Sequence, residues 1–216
     1  MVADKVAEAD YFLDQLHLTQ GFHHEFGFIF SAFVTAARSV TFVLQSVMSH
    51  YPGFDEWYEP ERAKLEQNEL AKFFVKLRNH AQKVGGIPIS HTGFVSGGSL
   101  NMSQTFVPLP TSELQKVPQG EVIDLCEFYF RDLLALVGRC YREFAVYADP
   151  RSIFTKEGLA KLGWNIEDVE EALGFPRGWT KVEDSKDCDD QRLILLSRYG
   201  GDELIEKFLE KHRIKV

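Results

Sequence analysis

The chain has 216 residues, enough for one substantial core or for a domain of about 150 residues with a small appendage. A formal net charge of −8 excludes a broad, sequence-independent grip on nucleic acid, which needs many Lys and Arg against phosphate, although a local cleft can still be basic. Phe supplies 18 aromatic residues against 7 Tyr and 3 Trp, and a ring with no polar handle must be packed or placed at an interface, so a dense aromatic core shared with a second subunit is expected.

Asp4 to Leu18 is predicted as a first helix with Val6, Tyr11, Phe12 and Leu16 on its apolar side, ended by Gly21. From His23 to about Tyr51 the chain reads as a long helix. Phe26, Phe30, Phe33, Ala37, Val40, Leu44 and Val47 recur at spacings of four and three, the pattern of a bundle seam. Pro52-Gly53 ends it, and Phe54 to Tyr58 reads as an aromatic connector covering a core edge. Pro60 stands where a helix can begin, because the first turn does not need its missing N–H. The repeat Leu70, Phe73, Leu77, His80 and Val84 carries that helix on to Gly85-Gly86.

Residues 87–107 change character, being rich in Ser, Thr and Gly and free of Asp, Glu, Lys and Arg. Leu100, Met102, Gln104 and Phe106 alternate, and Ser96-Gly97-Gly98-Ser99 supplies a turn, so a hairpin excursion is predicted. A second long helix is expected from Gln119 to Ala148, with Val122, Cys126, Tyr129, Leu133, Val137, Cys140, Phe144 and Tyr147 on one stripe. Asp149-Pro150 closes the bundle, since the residue before a proline is steered out of the helical region. After it come short helices separated by glycines: Thr155 to Leu162, a capped start at Asn165 leading to Gly174, and Asp202 to Arg213, with Lys181 to Asp190 as a polar loop.

Before Pro150 there are 12 basic and 18 acidic residues, and from it onward 12 and 14, so neither half is a basic arm. The opening Met1-Val2-Ala3-Asp4-Lys5 lacks the apolar core of a signal peptide, and no run of about 18 apolar residues is read as a membrane span, which predicts a cytoplasmic protein without a membrane partner. Cys126, Cys140 and Cys188 are too far apart for a metal-binding pair and suit a reducing compartment, with Cys126 and Cys140 expected to be buried. His17, His23 and His24 cluster without further ligands at suitable spacing, so no metal and no cofactor is predicted. The glycines between Gly85 and Gly98 lack the Gly-Lys-Ser/Thr of a phosphate loop.

The helix ending in Leu77-Arg78-Asn79-His80-Ala81-Gln82-Lys83 holds the residues best suited to chemistry. At about 100° per residue, Phe74, Leu77, Ala81 and Val84 share one stripe. Arg78 and His80 flank it on opposite sides, each about 80° from Leu70, while Asn79 and Lys83 point away. Taken alone, Arg78 lays its stem along the core edge with its guanidinium in water, and His80 is a boundary residue.

The pair Arg78-Asn79 near a helix end, preceded by the aromatic seam through Ser31 to Val40, resembles the HEPN superfamily over residues 22–149. That resemblance implies an all-α, up-and-down helical bundle and a homodimer. In its ribonuclease members Arg and a terminal His meet across the dimer, the His serving as acid or base and the Arg steadying phosphate charge. Arg78 and Asn79 match the first two positions of that motif. Lys83 stands where the His would be, and an unperturbed lysine is a poor general base at neutral pH. His80 is displaced by three residues, about 4.5 Å along the axis. A short tail segment, Leu173 to Thr180, is similar to a stretch of DNA cytosine-5 methyltransferases, but the chain lacks their Pro-Cys nucleophile, so the segment reads as a helix stop and turn.

The expectation is therefore a HEPN-like helical bundle over residues 1–149 and a small helical appendage over 150–216. Its favoured function is a non-catalytic or degenerate binding module of defence or toxin–antitoxin character, taking a nucleotide, RNA or protein partner through Arg78 and Asn79. The alternatives are a metal-independent ribonuclease using Arg78 with His80 or Lys83, and a structural oligomer in which Arg78 pairs with a carboxylate such as Glu25 or Asp132.

Overall fold

The computed structural model describes residues 2–19, 23–97, 99–110, 113–148, 153–181, 188–200 and 204–216. Among them are ten helices and one two-stranded antiparallel sheet, so the chain is mostly helical and bundle-like with a β excursion. It folds as two compact units, residues 1–136 and 137–216.

In the first unit α1 (Val2–Leu18) packs along α2 (His23–Met48). The buried face of α1 is Val2, Val6, Ala9, Leu13 and Leu16. Tyr11, expected on that face, is 57% exposed, because residues 2, 6, 9, 13 and 16 repeat at spacings of three and four and leave position 11 outside them. Gly21 lies outside the described residues. On α2 the predicted seam is present: Phe26, Phe30, Phe33, Ala37, Val40 and Leu44 are fully buried, and Met48 rather than Val47 completes it. The most apolar 18-residue stretch within His24–Met48 has a mean hydropathy of 1.6, making α2 long and apolar enough to cross a bilayer by length and composition, a property the core helix of a soluble protein can share. That corrects the reading that the chain has no such run.

The Phe54–Tyr58 segment is not a connector. Gly53 adopts φ 81°, a left-handed turn that suits glycine, and α3 (Phe54–Gln67) begins at the next residue. Pro60 sits inside α3 instead of starting a helix. Its missing N–H deprives the Glu56 carbonyl of a donor, a local cost offset by the buried Phe54 and Tyr58 rings, stacked at 5.1 Å. A second helix, α4 (Glu69–Lys83), starts after Asn68, which leaves the helical region at φ −73°, ψ 114°. The Asn68 Oδ1 accepts from the backbone N–H of Leu70 at 2.9 Å and of Ala71 at 3.1 Å, filling two of the donors a helix start leaves open. Ala71, Phe73, Phe74 and Leu77 form the buried face of α4, which packs against α2 and α3. Val84, expected on that stripe, is 72% exposed because the helix has ended and the chain turns away at Gly85.

Strands β1 (Ile89–Ser96) and β2 (Ser99–Phe106) form the predicted hairpin, paired from Ile89 with Phe106 to Ser96 with Ser99. Gly97 takes φ 62° in its turn, and Gly98 lies outside the described residues. The hairpin is fixed at its base. Phe106 is buried with ring centroids 4.7 Å from Phe73, 5.7 Å from Phe30 and 6.4 Å from Phe74, while the Glu121 carboxylate accepts from Ser103 Oγ and the Gln104 N–H. Toward the tip, Phe94 and Val95 are exposed.

Helix α5 (Val122–Glu143) carries the expected stripe: Val122, Cys126, Tyr129, Leu133, Val137 and Cys140 are buried, as is Phe144. It is shorter than predicted at both ends, and a turn at Phe144 separates it from α6 (Ala145–Ala148). Asp149-Pro150 lies outside the described residues. Burial pushes the Cys126 thiol well above its ordinary value and that of Cys140 up to about 12, so both stay protonated and behave as apolar groups.

The second unit holds α7 (Lys156–Leu162), α8 (Ile166–Ala172), α9 (Cys188–Gly200) and α10 (Leu204–Lys211). Thr155 caps α7 through the Gly158 N–H, and Asn165 with Asp168 forms the expected capping box on α8. Leu159, Ile166, Val169, Leu193 and Leu196 make its core, with Phe154, Leu173 and Phe175 packed against it. The segment Leu173–Thr180 is a helix stop and turn. Within it the Phe175 and Trp179 rings stack at 4.3 Å, and Glu170, fully buried, accepts from the N–H of Gly178 and from the N–H and hydroxyl of Thr180. Helix α9 was not expected; its first residues fall in the acidic stretch read as a loop, of which residues 182–187 lie outside the described residues.

Candidate functional site

Among the concavities of the first unit that helix α4 borders, two are lined by its lysines. One, of about 250 Å³, is lined by Lys76, Asn79, His80, Lys83, Val84, Glu113 and Leu114. It gathers three of the four sequence-predicted residues, Asn79, His80 and Lys83. Arg78 does not line it. The Arg78 Nη1 donates to Asn79 Oδ1 at 3.2 Å, while its Nε is buried with no hydrogen-bond partner among the described residues. Neither carboxylate named for it is used: Asp132 accepts from Asn68 Nδ2 at 2.8 Å, and no ion pair joins Glu25 to Arg78 among the described residues. Asn79, expected to point away from the core, is half-buried beside Arg78, and Lys83 is exposed.

The other concavity, about 420 Å³, lies among α2, α3, α4 and α5. Tyr58, Leu65, Ala71, Val75, Tyr129 and Leu133 supply its apolar and aromatic lining. Four cations, Arg38, Arg62, Lys72 and Lys76, face it against one carboxylate, Glu66. In a chain with a net charge of −8 this is a local inversion of sign. Arg62 is committed to Glu59 and Glu66, and Lys72 to Glu69 at 2.5 Å. Arg38 and Lys76 have no ion pair among the described residues.

Arg38 is held in place by its own helix. Its Nη1 donates to Thr41 Oγ1 at 2.7 Å, and the guanidinium lies 4.3 Å from the centroid of the Phe42 ring. The Thr41 hydroxyl in turn donates to the Arg38 carbonyl at 3.2 Å, which fixes its lone pairs toward the guanidinium. Tyr129, stacked on Phe74 at 4.4 Å, forms part of the lining. Burial pushes its hydroxyl up to about 12 against the opposing pull of the Arg38 charge, so it stays a neutral donor at physiological pH.

Lys76 lines both concavities and joins them. Lys72, Lys76, His80 and Lys83 are spaced by four, four and three residues, so they rise along one side of α4 in steps of about 6, 6 and 4.5 Å. Apolar periodicity could not single out Arg38, but charge could: it is the one Asp, Glu, Lys or Arg residue between Glu25 and Asp55, in a segment otherwise free of formal charge. Among the described residues, no group of three or more His, Cys, Asp or Glu is placed to hold a metal ion.

Residues 19–96 match a family model described as bacteriophage lambda protein ea47. The matched span covers α2, α3, α4 and β1, and so most of the walls of both concavities. Comparison with curated proteins and with solved structures gives no match.

Proposed function

We propose that the first unit is a HEPN-type binding module without catalytic function, which takes single-stranded RNA along the basic side of α4. The observation that carries this reading is the row Lys72, Lys76, His80 and Lys83, with Lys76 shared by the two concavities. Lysines along one side of a rigid helix neutralise phosphates locally although the chain is acidic overall, and Lys76 and Lys83 have no ion pair among the described residues. Placing Arg78 on Asn79 rather than with His80 and Lys83 in the cleft favours binding over cleavage. The match to a family named for a phage protein supports a phage-related setting, while the defence or toxin–antitoxin character rests on the HEPN resemblance alone. The module acts as a cytoplasmic homodimer, its Phe-rich helices, with Phe28 and Phe42 exposed, contributing to the subunit contact.

Fluorescence anisotropy with a labelled single-stranded RNA tests the reading, alongside light scattering for the oligomer. Saturable binding that weakens at least about tenfold in a Lys76→Ala/Lys83→Ala variant is expected. Equal affinity of parent and variant, or no binding by either, would reject it. Cleavage of the RNA by the parent protein, abolished in Arg78→Ala, would replace it with the ribonuclease reading.

A further inference from the structure

The cleft among α2, α3, α4 and α5 has features that a phosphate track on α4 does not require. Its volume of about 420 Å³ falls in the range of small-molecule sites, and most of its wall is apolar or aromatic. The row on α4 touches it only at Lys72 and Lys76, whereas its one oriented, uncommitted cation, Arg38, stands on α2. A guanidinium presents a planar fork that matches a carboxylate or phosphate in two-point contact. Here Thr41 and Phe42 hold that fork before any ligand arrives, which lowers the ordering cost of binding. With Arg38 at the head and Tyr58, Leu65, Val75 and Leu133 along the wall, the occupant must carry one anionic group and a compact apolar body.

We infer that this cleft is a binding site for a small amphipathic organic anion, a carboxylate or phosphate monoester with an aromatic or branched apolar body, whose head group sits on Arg38 and Lys76. The inference shares Lys76 with the RNA reading but turns on Arg38, which is not part of the α4 row, so the two fail separately. The bidentate geometry suits both head groups. A carboxylate is satisfied by the Arg38 fork alone, whereas a phosphate also engages Lys76 through its third oxygen.

Isothermal titration of the full chain with 1-naphthoate, 1-naphthyl phosphate and the uncharged 1-naphthalenemethanol tests it at about 0.15 M salt, where exposed charges are screened. At least one of the two anions is expected to bind once per chain, at least about tenfold more tightly than the alcohol. Arg38→Gln should remove that advantage while leaving the alcohol's weak affinity unchanged. Lys76→Gln should weaken the phosphate more than the carboxylate, and which anion binds more tightly in the parent identifies the head group. Lys83→Ala, outside this cleft, should leave both anions unaffected, so a failure of RNA binding and a failure of this site are told apart. Equal affinity for alcohol and anions, no binding of either anion, or an Arg38→Gln variant that melts like the parent and binds as tightly, would overturn the inference.

Discussion

Arg192 Nη2 donates to Glu170 Oε1 at 3.2 Å inside the second unit, joining two side chains from helices that the chain separates by the whole Leu173–Thr180 turn. Arg192 also reaches Glu167 at 2.7 Å and, through Nε, the Thr180 hydroxyl at 2.9 Å. Glu170 thus gathers the turn from one side and α9 from the other. Its carboxylate is fully buried, but its oxygens accept from Gly178, Thr180 and Arg192, and that hydrogen bonding is what makes a buried charge tolerable.

Removing one partner of such a pair leaves the other buried without compensation. Glu170→Ala is expected to destabilise the second unit by about 3 kcal/mol, with Arg192→Ala comparable and the double variant less than additive. Urea unfolding followed by Trp164 and Trp179 fluorescence, both in this unit, measures it. Additive effects would show that the two side chains act separately.

Acid should act on the same pair. Burial pushes the Glu170 carboxyl up, but hydrogen bonds from Thr180, Arg192 and Gly178 outweigh it and hold the group at about 2, below the ordinary 4.5. A folded value below the unfolded one contributes stability fully above about pH 4.5 and loses it as the pH falls toward 2. Glu167 is lowered in the same direction by its bond from Arg192. Unfolding free energy measured from pH 6 to pH 2 should therefore fall through that window, and Glu170→Gln should flatten the slope.

Asn68 carries two duties in one side chain, capping α4 with its oxygen and holding Asp132 with its nitrogen. Asn68→Ala should cost about 1 kcal/mol through loss of the cap. Asn68→Asp keeps a capping oxygen but sets a carboxylate against Asp132, so it is expected to melt below the parent at pH 7 and to recover as the pH falls toward 4. Thermal melts at the two pH values distinguish the duties.

If RNA follows the basic side of α4, affinity must depend on salt. The slope of log K against log salt should become shallower by about 0.7 for each phosphate that a lysine no longer neutralises, so Lys76→Ala and Lys83→Ala should each reduce it by about that amount. Arg78→Ala, which removes a side chain turned onto Asn79, should leave the slope unchanged. Anisotropy titrations between about 50 and 200 mM salt read this directly.

The parts of the fold readable in advance were those in which apolar spacing and helical period coincide over many turns, as in Phe26 to Leu44 and Val122 to Cys140. Capping chemistry was equally readable at Asn165 and Asp168. The capping role of Asn68 is hidden in the mostly polar run Lys64-Leu65-Glu66-Gln67-Asn68-Glu69, where an uninterrupted helix is as consistent with composition as two. Pro60 misled for a related reason: helix starts favour proline, but the Phe54 and Tyr58 packing extends α3 ahead of it. Asn79, His80 and Lys83 share a cleft as neighbours on one helix can. Arg38 belongs to a site assembled from four helices, and tertiary assembly of that kind leaves no spacing to read.

Arg38 also bears on how the chain is handled while it is being made. As α2 leaves the ribosome it presents a stretch that is long and apolar enough for a bilayer, broken by a single positive charge near its middle. An arginine at the centre of such a helix disfavours insertion by about 2.5–3.5 kcal/mol. That cost opposes the favourable transfer of the surrounding Phe, Val and Leu side chains, and an Arg38→Leu chain would meet the insertion machinery as a more apolar substrate.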